Sequence, residues 1–110
     1  MIEIVEYLSE DGASPYRTWF DALDPQAATI VAVAVDRLAD GNTSRTKALG
    51  EGVGEIRIDR GPGYRVYFGW DGRTLVVLLG GGTKRRQRRD VANALALWRN
   101  YKARKAARKG

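Results

Sequence analysis

The chain has no cysteine and no histidine among its 110 residues. Disulfides, thiol chemistry and every catalytic triad built on histidine or cysteine are therefore excluded. Only carboxylates remain as side-chain ligands for a structural zinc, so neither a metal site nor a cofactor is expected. No run approaches the ~20 apolar residues that a membrane span needs. The first six residues are acidic and alternating, unlike a secretory leader. These absences lead us to expect a soluble, cytoplasmic protein without membrane association. Any chemistry must be run by Lys, Arg, Tyr, Asp, Glu, Ser or Thr.

Positive charge is abundant and unevenly placed. Residues 1–55 hold ten acids and four bases, a net of −6, whereas residues 56–110 hold fifteen bases and three acids, a net of +12. Such asymmetry points to a polyanionic partner for the second half. A solvated basic face with a disordered tail is the plainer alternative.

The β-branched, partly alternating residues 2–8 predict a strand. Ser14-Pro15 and Asp24-Pro25 each pair a capping side chain with a proline whose missing N–H costs nothing at a helix start. They predict one helix to about Leu23 and a second to about Asp40, stopped by Gly41-Asn42. Residues 42–52 read as a polar loop. Residues 53–59 and 64–70 alternate around the Arg60-Gly61-Pro62-Gly63 turn. Asp71-Gly72 signals a hairpin into residues 74–79, an apolar run suited to a central strand covered on both faces. Gly80-Gly81-Gly82 is expected to end that strand as a mobile loop presenting Lys84. It lacks the spacing of a nucleotide-binding P-loop. A last helix carries Val91, Leu95 and Trp98 on one stripe. The expected fold is α+β: a four-stranded, mainly antiparallel sheet, two N-terminal helices on one face and a C-terminal helix. Residues 1–102 form a single domain, and residues 103–110 are expected to fray into a basic tail.

Strand parity sharpens the site. Ile56 and Ile58 share one face, as do Tyr64, Val66, Phe68 and Trp70. If that face meets the helices, Arg57, Arg65 and Tyr67 gather on the other, expected to be polar, cationic and open. Lys84 and Arg85 arrive at one end of the same sheet. Guanidinium groups so gathered suit phosphate. Pairing with Glu55 and Asp59 as exposed cross-strand pairs is the bland alternative, worth ~0.2–1 kcal/mol each.

Several segments carry a family resemblance. They are Ser14-Pro15-Tyr16-Arg17-Thr18-Trp19-Phe20, Leu49-Gly50-Glu51-Gly52-Val53-Gly54-Glu55-Ile56-Arg57-Ile58 and Gly61-Pro62-Gly63-Tyr64-Arg65-Val66-Tyr67-Phe68. Leu78-Leu79-Gly80-Gly81-Gly82-Thr83-Lys84 and Asp90-Val91-Ala92 complete the set. Together they resemble the RelE/ParE toxin superfamily, in particular its HigB-like, phage-associated addiction module killer branch. The resemblance implies the toxin of a type II toxin-antitoxin system, held in a hetero-oligomer by a cognate antitoxin. RelE-side members act on the ribosome as metal-independent endoribonucleases (mRNA interferases) and stop translation. ParE-side members inhibit DNA gyrase without catalysis. A basic nucleic-acid-binding module without activity is a third possibility. On the first reading the catalytic candidates are Arg57, Arg65, Lys84 and Tyr67, and the RNA phosphate contacts are Arg85, Arg86, Arg88, Lys47 and Arg60. Thr83 stands where this branch often has Asp, and the stretch after Lys84 is more basic than the branch usually shows.

Overall fold

The computed structural model describes residues 1–109, the side chain of Lys109 excepted. Strand β1 (Glu3–Glu6) is followed by helices α1 (Pro15–Asp21) and α2 (Pro25–Ala39). Strands β2 (Thr46–Gly50), β3 (Val53–Ile58), β4 (Tyr64–Asp71) and β5 (Leu75–Thr83) come next. A 3₁₀ turn (Lys84–Arg86) leads into helix α3 (Gln87–Lys109). Both helix-start signals act as expected. Ser14 Oγ accepts the Arg17 amide at 3.0 Å, and Asp24 Oδ1 accepts that of Ala27 at 3.0 Å.

The sheet is mixed and has five strands in the order β1-β5-β4-β3-β2. β1 lies parallel to β5, and the other neighbours are antiparallel. The fifth strand, β2, occupies the segment expected to be a polar loop. It has no apolar alternation because it is an outer strand, with Lys47 and Ala48 exposed. An exposed lysine suits such an edge, since it discourages further strand pairing. Gly50, Glu51 and Gly52 all take positive φ, which turns β2 tightly into β3. Glu51 is not a glycine, and α3 holds it in place. Its carbonyl accepts the Trp98 indole N–H at 2.8 Å, and Arg99 grips its carboxylate at 3.0 and 2.6 Å.

Helices cover both faces of the sheet. Val31 and Leu38 of α2 and Tyr16 of α1 pack on Ile56, Ile58, Val66, Phe68, Val76 and Leu78. On the opposite face Ala94 and Trp98 of α3 pack on Val53, Tyr67, Val77 and Leu79. The expected strand phase therefore holds. The open second face does not, because α3 lies across it. β5 is buried from both sides, as its continuous apolar run requires.

The glycine triplet lies inside β5 and forms no loop. Gly80 pairs with Tyr67, Gly81 with Val66 and Gly82 with Arg65. A bulge between these pairs and Leu78–Phe68 flips the strand's phase, so Gly80 and Gly82 face α3 and Gly81 faces α1. Bulky groups fill the missing side chains. A Cβ on Gly81 would lie 2.2 Å from Trp19, and one on Gly69 would lie 2.4 Å from Trp98. The aromatic rings sit directly on the backbone.

The expected basic tail is helical, for α3 continues through residues 103–109. Its anchors are polar, which apolar periodicity does not reveal. Arg104 donates to the Leu8 carbonyl at 2.6 Å, and Lys105 meets Asp71 at 2.5 Å. Tyr101 also donates to Asp71, at 2.7 Å. Gly110 lies outside the described residues. Among the described residues no helix is long and apolar enough to cross a membrane.

Gly69→Ala is expected to lower unfolding free energy by ~1–3 kcal/mol, the usual cost of overpacking. Urea denaturation followed by tryptophan fluorescence measures it, with Gly72→Ala unsuitable as a control because Gly72 has positive φ. Ala48→Ser, on the exposed edge strand, should remain within ~0.5 kcal/mol of the parent.

Candidate functional site

Glu55 organises the cationic end of the sheet. It stands in mid-β3, fully buried at 0 % exposure. Arg57, two residues on and on the same face, donates Nε to Glu55 Oε2 at 3.0 Å. Arg65, directly opposite Arg57 on β4, has its Nε 3.8 Å from the same oxygen. Gln87, at the start of α3, donates to Glu55 Oε1 at 2.9 Å. Arg65 further donates Nη1 to the Tyr64 carbonyl at 3.0 Å and approaches Asp59 at 3.7 Å.

One buried carboxylate thus serves two guanidinium groups and one amide. Removing charges from water costs several kcal/mol per ion unless geometry and hydrogen bonds compensate. Arg65 is 3 % exposed, so it depends on that compensation. The Arg57 side chain is 44 % exposed and keeps a face toward solvent. Water and salt weaken its half of the cluster accordingly.

Lys84 joins these residues through the β3–β4 turn. Its amide donates to the Gly63 carbonyl at 2.8 Å. A Cβ on Gly63 would lie 3.2 Å from Lys84 Cβ and 3.8 Å from Arg65 Nη1, so Lys84 and Arg65 flank that glycine. Arg85 and Arg86 follow in the 3₁₀ turn and Arg88 in the first turn of α3, all exposed. Lys47 sits opposite Glu55 on β2 and is exposed.

Two candidates stand apart. Arg60 turns toward the α2 side, lining a hollow with Asp24, Ala27 and Tyr64. Tyr67 shares the face of Arg65 yet is only 1 % exposed, beneath α3. It does not reach the open surface beside Arg57. Burial, and then the negative charges of Glu55 and Asp90, push its hydroxyl up to about 12, with Arg65 opposing. Tyr67 is a neutral phenol at physiological pH.

Three participants were not among the expected site residues. Glu55 was expected on an exposed face, and its burial follows from α3 lying above it. Gln87 hides within a run of arginines. Asp90, the acid of α3's first turn, lies over Gly82, where a Cβ would come 2.0 Å from its Oδ2. Burial raises the Asp90 carboxyl, with Arg86 and Arg89 opposing. The available signal was Gly82 itself, a side-chain-free position inside a central strand that admits close approach from the opposing element.

On the other side of β3, a cleft of 540 Å³ runs between α2 and the β2–β3 edge. Ile30, Ala34 and Ile58 contribute apolar wall, and Arg37, Arg45 and Arg57 line it as well. Arg57 is common to this cleft and to the Glu55 cluster.

Glu55→Ala leaves the Arg65 guanidinium buried without its carboxylate, and should cost ~3–5 kcal/mol of stability. Combining Glu55→Ala with Arg65→Met should cost clearly less than the two single changes added together. Chemical denaturation of the four proteins gives the coupling. Strict additivity would show that the two side chains do not stabilise one another.

The family model for phage-derived protein Gp49-like (DUF891) matches residues 18–99, from α1 to the Glu51-gripping arginine of α3. An uncharacterized protein of Haemophilus influenzae (strain ATCC 51907 / DSM 11121 / KW20 / Rd) is 36% identical over 83 residues. That alignment covers 74% of this chain and 84% of the relative. The match spans every strand after β1 and the site they carry, and the chain belongs to the phage-derived Gp49-like family.

Proposed function

We propose that the chain is a toxin of a type II toxin-antitoxin system, of the HigB-like branch of the RelE/ParE superfamily, that cleaves mRNA on the ribosome without a metal. The observation carrying this reading is the charge imbalance around Glu55. One carboxylate is shared by Arg57 and Arg65, while Lys84 and Arg85 flank them, so the end of the sheet keeps a net positive charge. Such a surface favours the phosphate of an RNA strand.

The chemistry is an internal transfer. The 2′-hydroxyl attacks its own 3′ phosphorus, loses its proton and forms a 2′,3′-cyclic phosphate. The bond to O5′ of the next nucleotide breaks, and that oxygen takes up a proton. Arg57, with an exposed face, contacts the non-bridging oxygens, where charge grows in the transition state. Lys84 is the candidate proton donor to O5′. Arg65 acts from below, holding Glu55 and so fixing Arg57 in position. Arg85, Arg86, Arg88 and Lys47 bind flanking phosphates. Substrate placement comes from the ribosome, so modest acid-base groups suffice. The cognate antitoxin is the second partner. The arginine-lined cleft beside α2 suits an acidic segment with aliphatic side chains, and filling it would also engage Arg57.

The burial of Arg65 and Tyr67 favours one other reading, a ParE-like inhibitor that binds gyrase without catalysis. It needs no exposed acid-base pair. Expression with mapping of new 5′ ends on mRNA, alongside plasmid supercoiling by purified gyrase, separates the two. Cleavage within ribosome-bound messages supports the first. Intact messages with blocked supercoiling would sink it, as would harmless expression of a folded chain.

Arg57→Ala combined with Lys84→Ala is expected to abolish growth inhibition while leaving unfolding free energy within about 1 kcal/mol of the parent. Colony counts on induction and a urea melt test both halves of that expectation. Arg65→Ala should lose toxicity and stability together.

A further inference from the structure

A cavity of 370 Å³ opens between the start of α1, the glycine stretch of β5 and the first half of α3. Tyr67 and Asp90 both line it. The Tyr67 hydroxyl and Asp90 Oδ2 are buried atoms without a hydrogen-bond partner among the described residues. Tyr67 as a whole is 1 % exposed. Native interiors satisfy nearly all such atoms, and each exception calls for a physical reason. Two exceptions on one cavity wall share a reason most simply when a ligand offers an acceptor beside a donor. The volume lies within the range of small-molecule clefts, ~300–1,000 Å³, and far above the ~30 Å³ that one water takes in the liquid.

The rest of the wall narrows the ligand. Leu79, Ala94 and Leu97 are apolar. Gly80 has open space where its Cβ would stand, with nothing within 4 Å, so a flat group can lie against the bare strand. Exposed Arg86 and Arg89 lie close enough to Asp90 to pull its titration downward against burial. The pocket therefore combines a planar slot, a polar edge with one neutral donor and one acceptor, and cations beside the acceptor. A base, with its phosphate outside, has that complementary form.

We infer that this cavity receives one unstacked nucleobase of a single-stranded RNA, with the Tyr67 hydroxyl and the Asp90 carboxylate reading its hydrogen-bonding edge. The inference rests on the RNA reading above and adds a base-recognising pocket to it. Tyr67, unable to reach the phosphate surface beside Arg57, meets the RNA from the other side of α3's first turn. Binding a base there gives both orphaned atoms a partner.

Two substitutions probe the pocket without touching the Glu55 cluster. Gly80→Val projects a side chain into the slot, and the residue lies within a strand without positive φ, a setting that suits a β-branched side chain. Tyr67→Phe deletes one oxygen. The probes are fluorescently labelled hexanucleotides of adenosine, cytidine or uridine, with an abasic hexamer keeping the phosphates. The parent chain is expected to bind at least one base-bearing hexamer about tenfold tighter than the abasic one, the scale of ~1–3 kcal/mol per well-held base. Each substitution should reduce that ratio to within about twofold and leave abasic binding unchanged. Thermal unfolding confirms that both variants fold. If Gly80→Val does not, Tyr67→Phe decides alone. Equal binding of all hexamers by the parent, or a base preference that survives in the folded variants, overturns the proposal. The measurement needs no cleavage. A parent that cuts mRNA but shows no base preference sinks the pocket alone. One that keeps the preference without cutting sinks the nuclease reading alone.

Discussion

A carboxylate with no contact to water sits at the centre of this molecule's cationic end. Glu55 must be ionised to hold Arg57 and Arg65, and its burial is worthwhile only because both, with Gln87, surround it. The group of four spans β3, β4 and the start of α3. The anion-binding surface is thereby tied to the docking of the last helix. A looser α3 would withdraw Gln87, and the arginines would rearrange around an incompletely satisfied acid. Ion pairs of this kind add little net stability over a well-packed apolar core, but they impose a particular arrangement. Here the arrangement directs one guanidinium toward solvent and keeps the other beneath it.

Glycines make the rest of that arrangement possible. Trp98 can lie on Gly69, Trp19 on Gly81 and Asp90 on Gly82 only because no Cβ intervenes. The bulge in β5 alternates which helix meets which glycine. A regular strand would have turned Gly80 and Gly82 toward α1, and α3 would have lost its seat above Arg65. The dense rings and bare backbone give close-packed contacts without large cavities at those points. The space beside Gly80 is different, since no ring fills it.

Much of the fold could be read from residue order alone. Period-two alternation in residues 53–59 and 64–70 placed Ile56, Val66 and Phe68 on the helix side and Arg57 and Arg65 opposite. The proline-preceded helix starts were equally legible, because each depends on a side chain one residue away. What stayed hidden was non-local. β2 lacks alternation because an edge strand has little apolar surface to bury, and only its pairing with β3 defines it. The long α3 is secured by Arg104 and Lys105, whose targets at Leu8 and Asp71 are remote in the chain. The site was legible as a set of cations and illegible as an environment. Parity placed Arg65 and Tyr67 on one face but carried no information about what lay above it.

The parallel pairing of β1 with β5 sets an order on synthesis. Glu3 finds its neighbour only at Leu75, and the ladder closes at Leu78. Until that part of the chain has emerged from the ribosome, the first strand has nowhere to dock and α1 lacks the glycine that seats Trp19. Lys84 comes just after β5. A nascent or prematurely terminated product thus lacks its scaffold and its cations at once, and competence arrives only in the final quarter of translation.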